Sequence, residues 1–192
     1  MIEHRWIERV IAGIGATLDQ AAAAGPEAGG RVDPRYVERV VDFIRTYADR
    51  CHHGKEEDIL FEELKSRDLP PDIAATMQHL VDDHVWARDT TRRIVAINAA
   101  ASDEAARGGG GGGGDGGAAA ELLRLLGELA AFYPVHIKKE DDNFFRPAMA
   151  LFSAEEQARM LDRFAEFDAT LIHEKYRAVA AELQRGAPAD SA

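Results

Sequence analysis

The sequence predicts an all-α protein, an antiparallel four-helix bundle with an additional C-terminal helix. Three observations carry this. Apolar residues recur at three- and four-residue spacing almost throughout the chain. No segment sustains the period-2 alternation, bounded by turn residues, that a strand requires. The breaks between periodic segments are mostly short, which favours antiparallel neighbours.

The first helix carries Ile7, Ile11, Ile14 and Leu18, and its stripe extends back to His4; Gly25 and Pro26 stop it. Asp33 is placed to cap the second helix, with Pro34 at its first position. Its stripe runs Val37, Val41, Ile44, Ala48 and then Ile59, Leu60 and Leu64. After "RDLPPDIA" a third helix holds Ile73, Met77, Leu80, Ala87 and Ile94, and fades near Ala101. The glycine-rich stretch 102–117 is costly to order and is expected to be a mobile connector. A fourth helix carries Leu122, Leu125, Leu129 and Phe132. Pro134 is expected to kink it before His136, either aiming that residue or being tolerated at an exposed position. Ser153 and Glu156 form a capping box for a fifth helix with Leu161, Phe164, Phe167 and Leu171. Residues 1–185 read as one domain and 186–192 as a disordered tail.

Composition excludes several classes. Of 192 residues, 46% are hydrophobic and 30% charged, which argues against global disorder. A net charge of −11 disfavours nucleic acid and anionic membranes as partners. Cys51 is the only cysteine, so no intrachain disulfide forms, in keeping with a reducing compartment. The N-terminus lacks a signal-peptide apolar region, and no run approaches the roughly 18 apolar residues of a membrane span. A cytoplasmic protein is expected. No Ser/His/Asp arrangement or CxxC motif is present, so no catalytic residue is assigned.

The chemistry lies in the histidines. His52 continues the stripe of Val41, Ile44 and Ala48 and leads to Glu56, so it faces the core. His53 falls in line with Arg45, Thr46, Asp49 and Arg50, a polar face. His84 extends the stripe of Met77 and Leu80, whereas His79 sits with Thr76, Asp82 and Asp83. His136 follows Leu125, Leu129 and Phe132, with Glu140 one turn on.

An internal repeat supports the same register. "HHGKEEDILF" and "HIKKEDDNFF" share H-x-x-K-E-x-D-x-[L/F]-F, pairing His52 with His136, Lys55 with Lys139 and Glu56 with Glu140. His53 matches an isoleucine. A single histidine precedes each copy at similar distance, His4 and His84. Four imidazoles and two carboxylates then face a bundle core, where they are costly unless paired. A metal offsets that cost, and facing helices carrying Glu and His are how bundles build dimetal sites. Such donors suit iron, and also zinc or manganese. Six donors suffice for one octahedral ion; two ions bridged by both glutamates would leave positions open for dioxygen, peroxide or water.

These residues resemble the hemerythrin-like, or HHE cation-binding, domain, whose pattern is H…HxxxE…H…HxxxE on a four-helix bundle. The match runs over about residues 1 to 150, through "EHRWIE", "HHGKEEDILF", "DDHVWAR" and "HIKKEDDNFF". The resemblance implies a non-heme diiron centre, two iron ions with oxo, hydroxo or carboxylate bridges, and dioxygen or hydrogen peroxide as ligand. Implied roles are oxygen carriage, oxygen or redox sensing, catalase-like peroxide decomposition, and iron storage or delivery; an open diiron site also suits oxidation of an organic substrate.

The chain departs from the oxygen carriers, which present five histidines and two carboxylates, with an HxxxH pair on the third helix. Here Leu80 stands four before His84, and His79 lies roughly 140° away around the helix. A more open, reactive centre is therefore expected. His173 is a candidate fifth histidine from the last helix, with a surface or interhelical role as the alternative. Asp141 is the alternative to Glu140, and Glu57 keeps a claim through its alignment with Phe61. Tyr47 either reaches the site or packs. Lys55 and Lys139 are expected outside, paired along their own helices, and Cys51 as a buried, inert thiol. Mutating His53 to alanine is expected to leave metal content nearly full.

Overall fold

In the computed structural model, residues 2–24, 32–106 and 115–184 are described, with side chains described for 2–23, 32–101 and 117–171. All regular structure among them is helical, in the order α1 (Ile2–Ala24), α2 (Pro34–Phe43), α3 (Glu62–Lys65), α4 (Pro71–Ala106), α5 (Asp115–Lys139), α6 (Phe145–Met149) and α7 (Ala154–Gln184). Three π-helical stretches interrupt this series: Ile44–His53 and Glu56–Phe61 between α2 and α3, and Glu140–Phe144 between α5 and α6. Helix covers both 102–106 and 115–117, within the glycine-rich region; the rest of that region and the tail 186–192 lie outside the described residues.

The caps form as their chemistry requires. The Asp33 carboxylate accepts from Arg35 N–H at 2.9 Å, with Pro34 opening α2. At α7, Ser153 N–H donates to Glu156 Oε2 at 2.7 Å, and Glu156 N–H donates to Ser153 Oγ at 3.3 Å. Pro134 lies within α5 at an exposed position, the tolerated alternative.

Helix α1 packs on α5, α5 on α4, and α4 on α2, closing the bundle where α1 meets the Ile44–His53 stretch. Helix α7 lies outside this ring, against the Ile44–His53 and Glu56–Phe61 stretches. The core falls into two apolar clusters. One contains Ile7, Ile14, Val37, Ile44, Ile94, Leu125 and Leu129. The other contains Leu60, Phe61, Leu64, Leu80, Phe144 and Phe152. On α2 and its continuation, and on α4, the buried histidines and Glu56 fall between the segments that supply these clusters. No helix among the described residues is long and apolar enough to cross a membrane.

Candidate metal centre

Seven buried residues converge between the two clusters: His4, His52, His53, Glu56, His84, His136 and Glu140, each at most 3% exposed. They form two groups whose donor atoms lie within 4.8 Å of one another, His4 with His52, Glu56 and Glu140, and His53 with His84 and His136. The carboxylates join the groups. Glu56 Oε1 lies 3.6 Å from His52 Nε2, and its Oε2 lies 3.4 Å from His84 Nε2. Glu140 Oε2 lies 3.2 Å from His4 Nε2, and its Oε1 lies 3.1 Å from His136 Nε2. Each glutamate thus turns one oxygen to each group.

His53 corrects the sequence reading. The α-helical stripe assigned it to a polar face, but it is 1% exposed, stacks on His84 at 3.9 Å and meets His136 edge-on at 5.6 Å. The cause is the π-helical stretch Ile44–His53. An i→i+5 ladder takes more residues per turn, so adjacent side chains stand at a smaller angle and both histidines face inward. The repeat was itself a signal: Ile137, the counterpart of His53, is buried at 4%. With His53 the cluster holds five imidazoles and two carboxylates. The expectation of a more open centre rested on four histidines and loses that support. The His173 side chain lies outside the described residues.

The outer nitrogens of four of the five histidines are held by carboxylates, while the inner nitrogens of His4 and His52 meet each other at 3.0 Å. Nδ1 of His4 pairs with Asp141 Oδ1 at 3.1 Å, and that of His52 with Glu3 Oε2 at 3.0 Å. Nδ1 of His84 pairs with Glu57 Oε1 at 2.6 Å, and that of His136 with Asp83 Oδ2 at 3.0 Å. A carboxylate on Nδ1 fixes the tautomer and aims Nε2 inward, the usual arrangement behind a metal-binding histidine. Asp141 and Glu57 therefore stand behind histidines, and Glu140 and Glu56 face the interior. His53 is the exception: its Nδ1 lies 3.6 Å from Asp49, whose Oδ1 instead accepts from Arg88 at 2.6 Å.

Lys55 and Lys139 also depart from expectation, since both reach across to other helices. Lys55, 6% exposed, binds Glu3 and donates to Asp168 Oδ2 on α7 at 2.9 Å. Lys139 donates to Asp83 Oδ2 at 2.6 Å. Burial opposes the charge on Glu3, but hydrogen bonds to His52 and Lys55 hold its carboxyl down at about 2. Tyr47 is half-buried, stacked on Phe43 at 5.0 Å. Cys51 is half-buried; burial and its hydrogen bond to Asp168 push the thiol up to about 12, so it stays protonated and unreactive.

Electrostatics within the cage favour a cation. Burial alone would neutralise Glu140, yet the imidazoles of His136, His4, His52 and His84 drawn close around it hold its carboxyl well below the usual range. Glu56 is pushed upward by burial and by the charge of Glu140. Both oxygens of each glutamate, and Nε2 of His53, His84 and His136, lack a hydrogen bond. At about 1–3 kcal/mol for each unsatisfied buried group, the penalty is on the order of 10 kcal/mol, comparable to the stability of a whole domain. Charge attraction within the cage offsets part of it, and metal cations would offset the rest.

No curated protein and no solved structure matches the chain. The family model described as the hemerythrin HHE cation binding domain matches residues 1–148, the span that carries every residue of the cage. The chain belongs to the hemerythrin HHE cation-binding domain family.

Proposed function

We propose that the cage holds two iron ions and acts in oxygen or peroxide chemistry, as a redox sensor or in catalase-like peroxide decomposition. One observation carries the reading: Glu56 and Glu140 each direct one oxygen to each histidine group, the arrangement two bridging carboxylates need. His4 and His52 would hold one ion, and His53, His84 and His136 the other. Imidazole with carboxylate is a donor set that suits iron. When bound, iron supplies the electrons and the Lewis acidity that dioxygen or peroxide reduction requires. The chain contributes position and charge: Asp141, Glu3, Glu57 and Asp83 keep their imidazoles donating outward and ligating inward.

Cavities lie on two sides of the cage, one lined by His53 and one by His52 and Glu56, so small molecules have a route to it. A second reading, oxidation of an organic substrate, is favoured by the cavity of about 820 Å³ beside His52 and Glu56, walled by Leu60, Phe145 and Phe164.

The test is iron per chain, visible absorption before and after anaerobic reduction, and hydrogen peroxide consumption. Two irons with oxo-bridge absorption and rapid peroxide loss are expected. Stable spectral cycling with dioxygen would assign carriage instead, and bound iron without reactivity would assign storage or delivery.

A further inference from the structure

The two copies of the repeat differ around the cage. Aligning His4 with His84 pairs Ile7 and Ile11, both buried in the apolar core, with Ala87 and Thr91, which line a cavity of about 310 Å³. The same alignment pairs Trp6 with Trp86, each two residues after its histidine. Aligning His52 with His136 pairs Ala48 with Phe132 and Asp49 with Tyr133. Each copy thus carries an indole at the surface, 49% exposed at Trp6 and 37% at Trp86. Only the second copy places an aromatic ring between that indole and the cage.

Those rings form an unbroken ladder. Trp86 packs on Phe132 with ring centroids 4.5 Å apart, and Phe132 stacks on His136 at 5.2 Å with the planes 17° apart. His136 Nε2 lies 3.1 Å from Glu140 Oε1, inside the cage. Among the described residues Trp6 has no such bridge: Ala48 stands in the place of Phe132, and the Arg9 guanidinium lies 4.7 Å over the Trp6 ring. A cation held by the face of an indole makes that indole harder to oxidise. Tyr133 offers no other end to the ladder. It meets Phe132 edge-on at 5.4 Å, but it is 1% exposed, and its hydroxyl has no acceptor for the proton that oxidation of a phenol releases. Trp86 is the one ring of the ladder that is both readily oxidised and open to water, which can take its proton.

We infer that Trp86 is the electron entry point of the cage, passing single electrons inward through Phe132 and His136 to support peroxide reduction. The inference rests on the iron and peroxide reading above. Reducing one hydrogen peroxide to two waters takes two electrons and two protons. Trp86 gives one electron to the cage and its indole N–H proton to water, leaving a neutral tryptophan radical. A one-electron donor of the enediol or phenol class returns an electron and a proton to the indole. Two such turns complete one peroxide, and the two protons released match the two consumed. Phe132 is not itself oxidised; its ring shortens the gap the electron must cross.

The test treats the iron-loaded full chain with hydrogen peroxide in the absence of a donor. Peptide mass spectrometry locates oxidised tryptophan, and freeze-quench EPR detects the radical. Oxidation at Trp86 is expected to exceed that at Trp6 by roughly tenfold or more, although Trp6 is the more exposed. This comparison needs no variant. Phe132→Leu, which keeps an apolar filling but removes the ring, is expected to bring Trp86 down to the level of Trp6 with iron retained. Trp86→Phe is expected to remove the radical signal and to slow ascorbate-supported peroxide loss roughly tenfold, and Trp6→Phe to change neither. Equal oxidation of the two tryptophans in the wild type, or a radical and an ascorbate-supported rate unchanged in Trp86→Phe, would overturn this inference alone. A wild-type chain that takes up no iron, or holds iron and leaves peroxide untouched, would overturn the proposed function, and this inference with it.

Discussion

In the first half of the cage Lys55 holds Glu3, and Glu3 holds the outer nitrogen of His52; in the second, Lys139 holds Asp83, and Asp83 holds His136. The halves also serve each other. Asp141, from the second copy, holds His4 of the first, and Glu57, from the first, holds His84 of the second. The repeated unit is therefore longer than HxxxE: an acid before the single histidine, then HxxKE with a further acid after it. The copies part at three places. His53 stands where the second copy has Ile137, a cavity opens where the other side is packed, and among the described residues α7 packs chiefly on the first copy. The symmetric parts hold the cage in shape, and the asymmetric parts shape the surroundings of each half.

The largest expected effect removes what the halves share. Glu140→Ala or Glu56→Ala is expected to lose both metals, since each carboxylate serves both groups, whereas His4→Ala or His84→Ala is expected to lose chiefly one. Metal content per chain checks this, and a glutamate variant retaining one tightly bound ion would break the bridging picture. Next comes the pair that differs. His53→Ala is expected to lose metal from the three-histidine side and to regain it when free imidazole is supplied. Ile137→Ala should keep its metal but lose about 2–5 kcal/mol of stability, the cost of a cavity in the core, read by denaturant unfolding.

Smaller effects follow from the uneven cover. A Cβ on Gly54 would meet Phe167 Cζ at 2.8 Å, whereas the corresponding Lys138 is 76% exposed. Gly54→Ala is therefore expected to cost about 1–3 kcal/mol by pushing α7 outward, and Lys138→Ala less than about 0.5 kcal/mol. Smallest is the contrast between the lysines. Lys55→Met and Lys139→Met are both expected to lower metal affinity by roughly 10- to 100-fold through loosened carboxylates, more for the buried Lys55. Equal losses would show that burial and the tie to Asp168 add nothing.

Much of this was legible in the chain. The apolar stripes place Val37, Ile44, Leu125 and Leu129 in the core, and the caps at Asp33 and Ser153 follow from local hydrogen-bond chemistry. His4, His52, Glu56, His84, His136 and Glu140 come together where stripe and repeat place them. His53 was missed because an α-helical period was extended through a π-helical stretch, where neighbouring residues share a face. Lys55 and Lys139 were read as surface residues because pairing along a helix is local, while Glu3 and Asp83 reach them from other helices. Tyr133 lies on the buried side of α5, but no spacing rule announces a hydroxyl left without a partner.

The most direct test of the two-ion cage is anomalous diffraction at the iron edge on the iron-loaded chain, with occupancy refined for the wild type and for His53→Ala. Two iron peaks per chain are expected in the wild type, one beside His4 and His52 and one beside His53, His84 and His136, with the second depleted in the variant. A single central peak, or two peaks unaffected by His53→Ala, would contradict a cage of five histidines and two bridging glutamates.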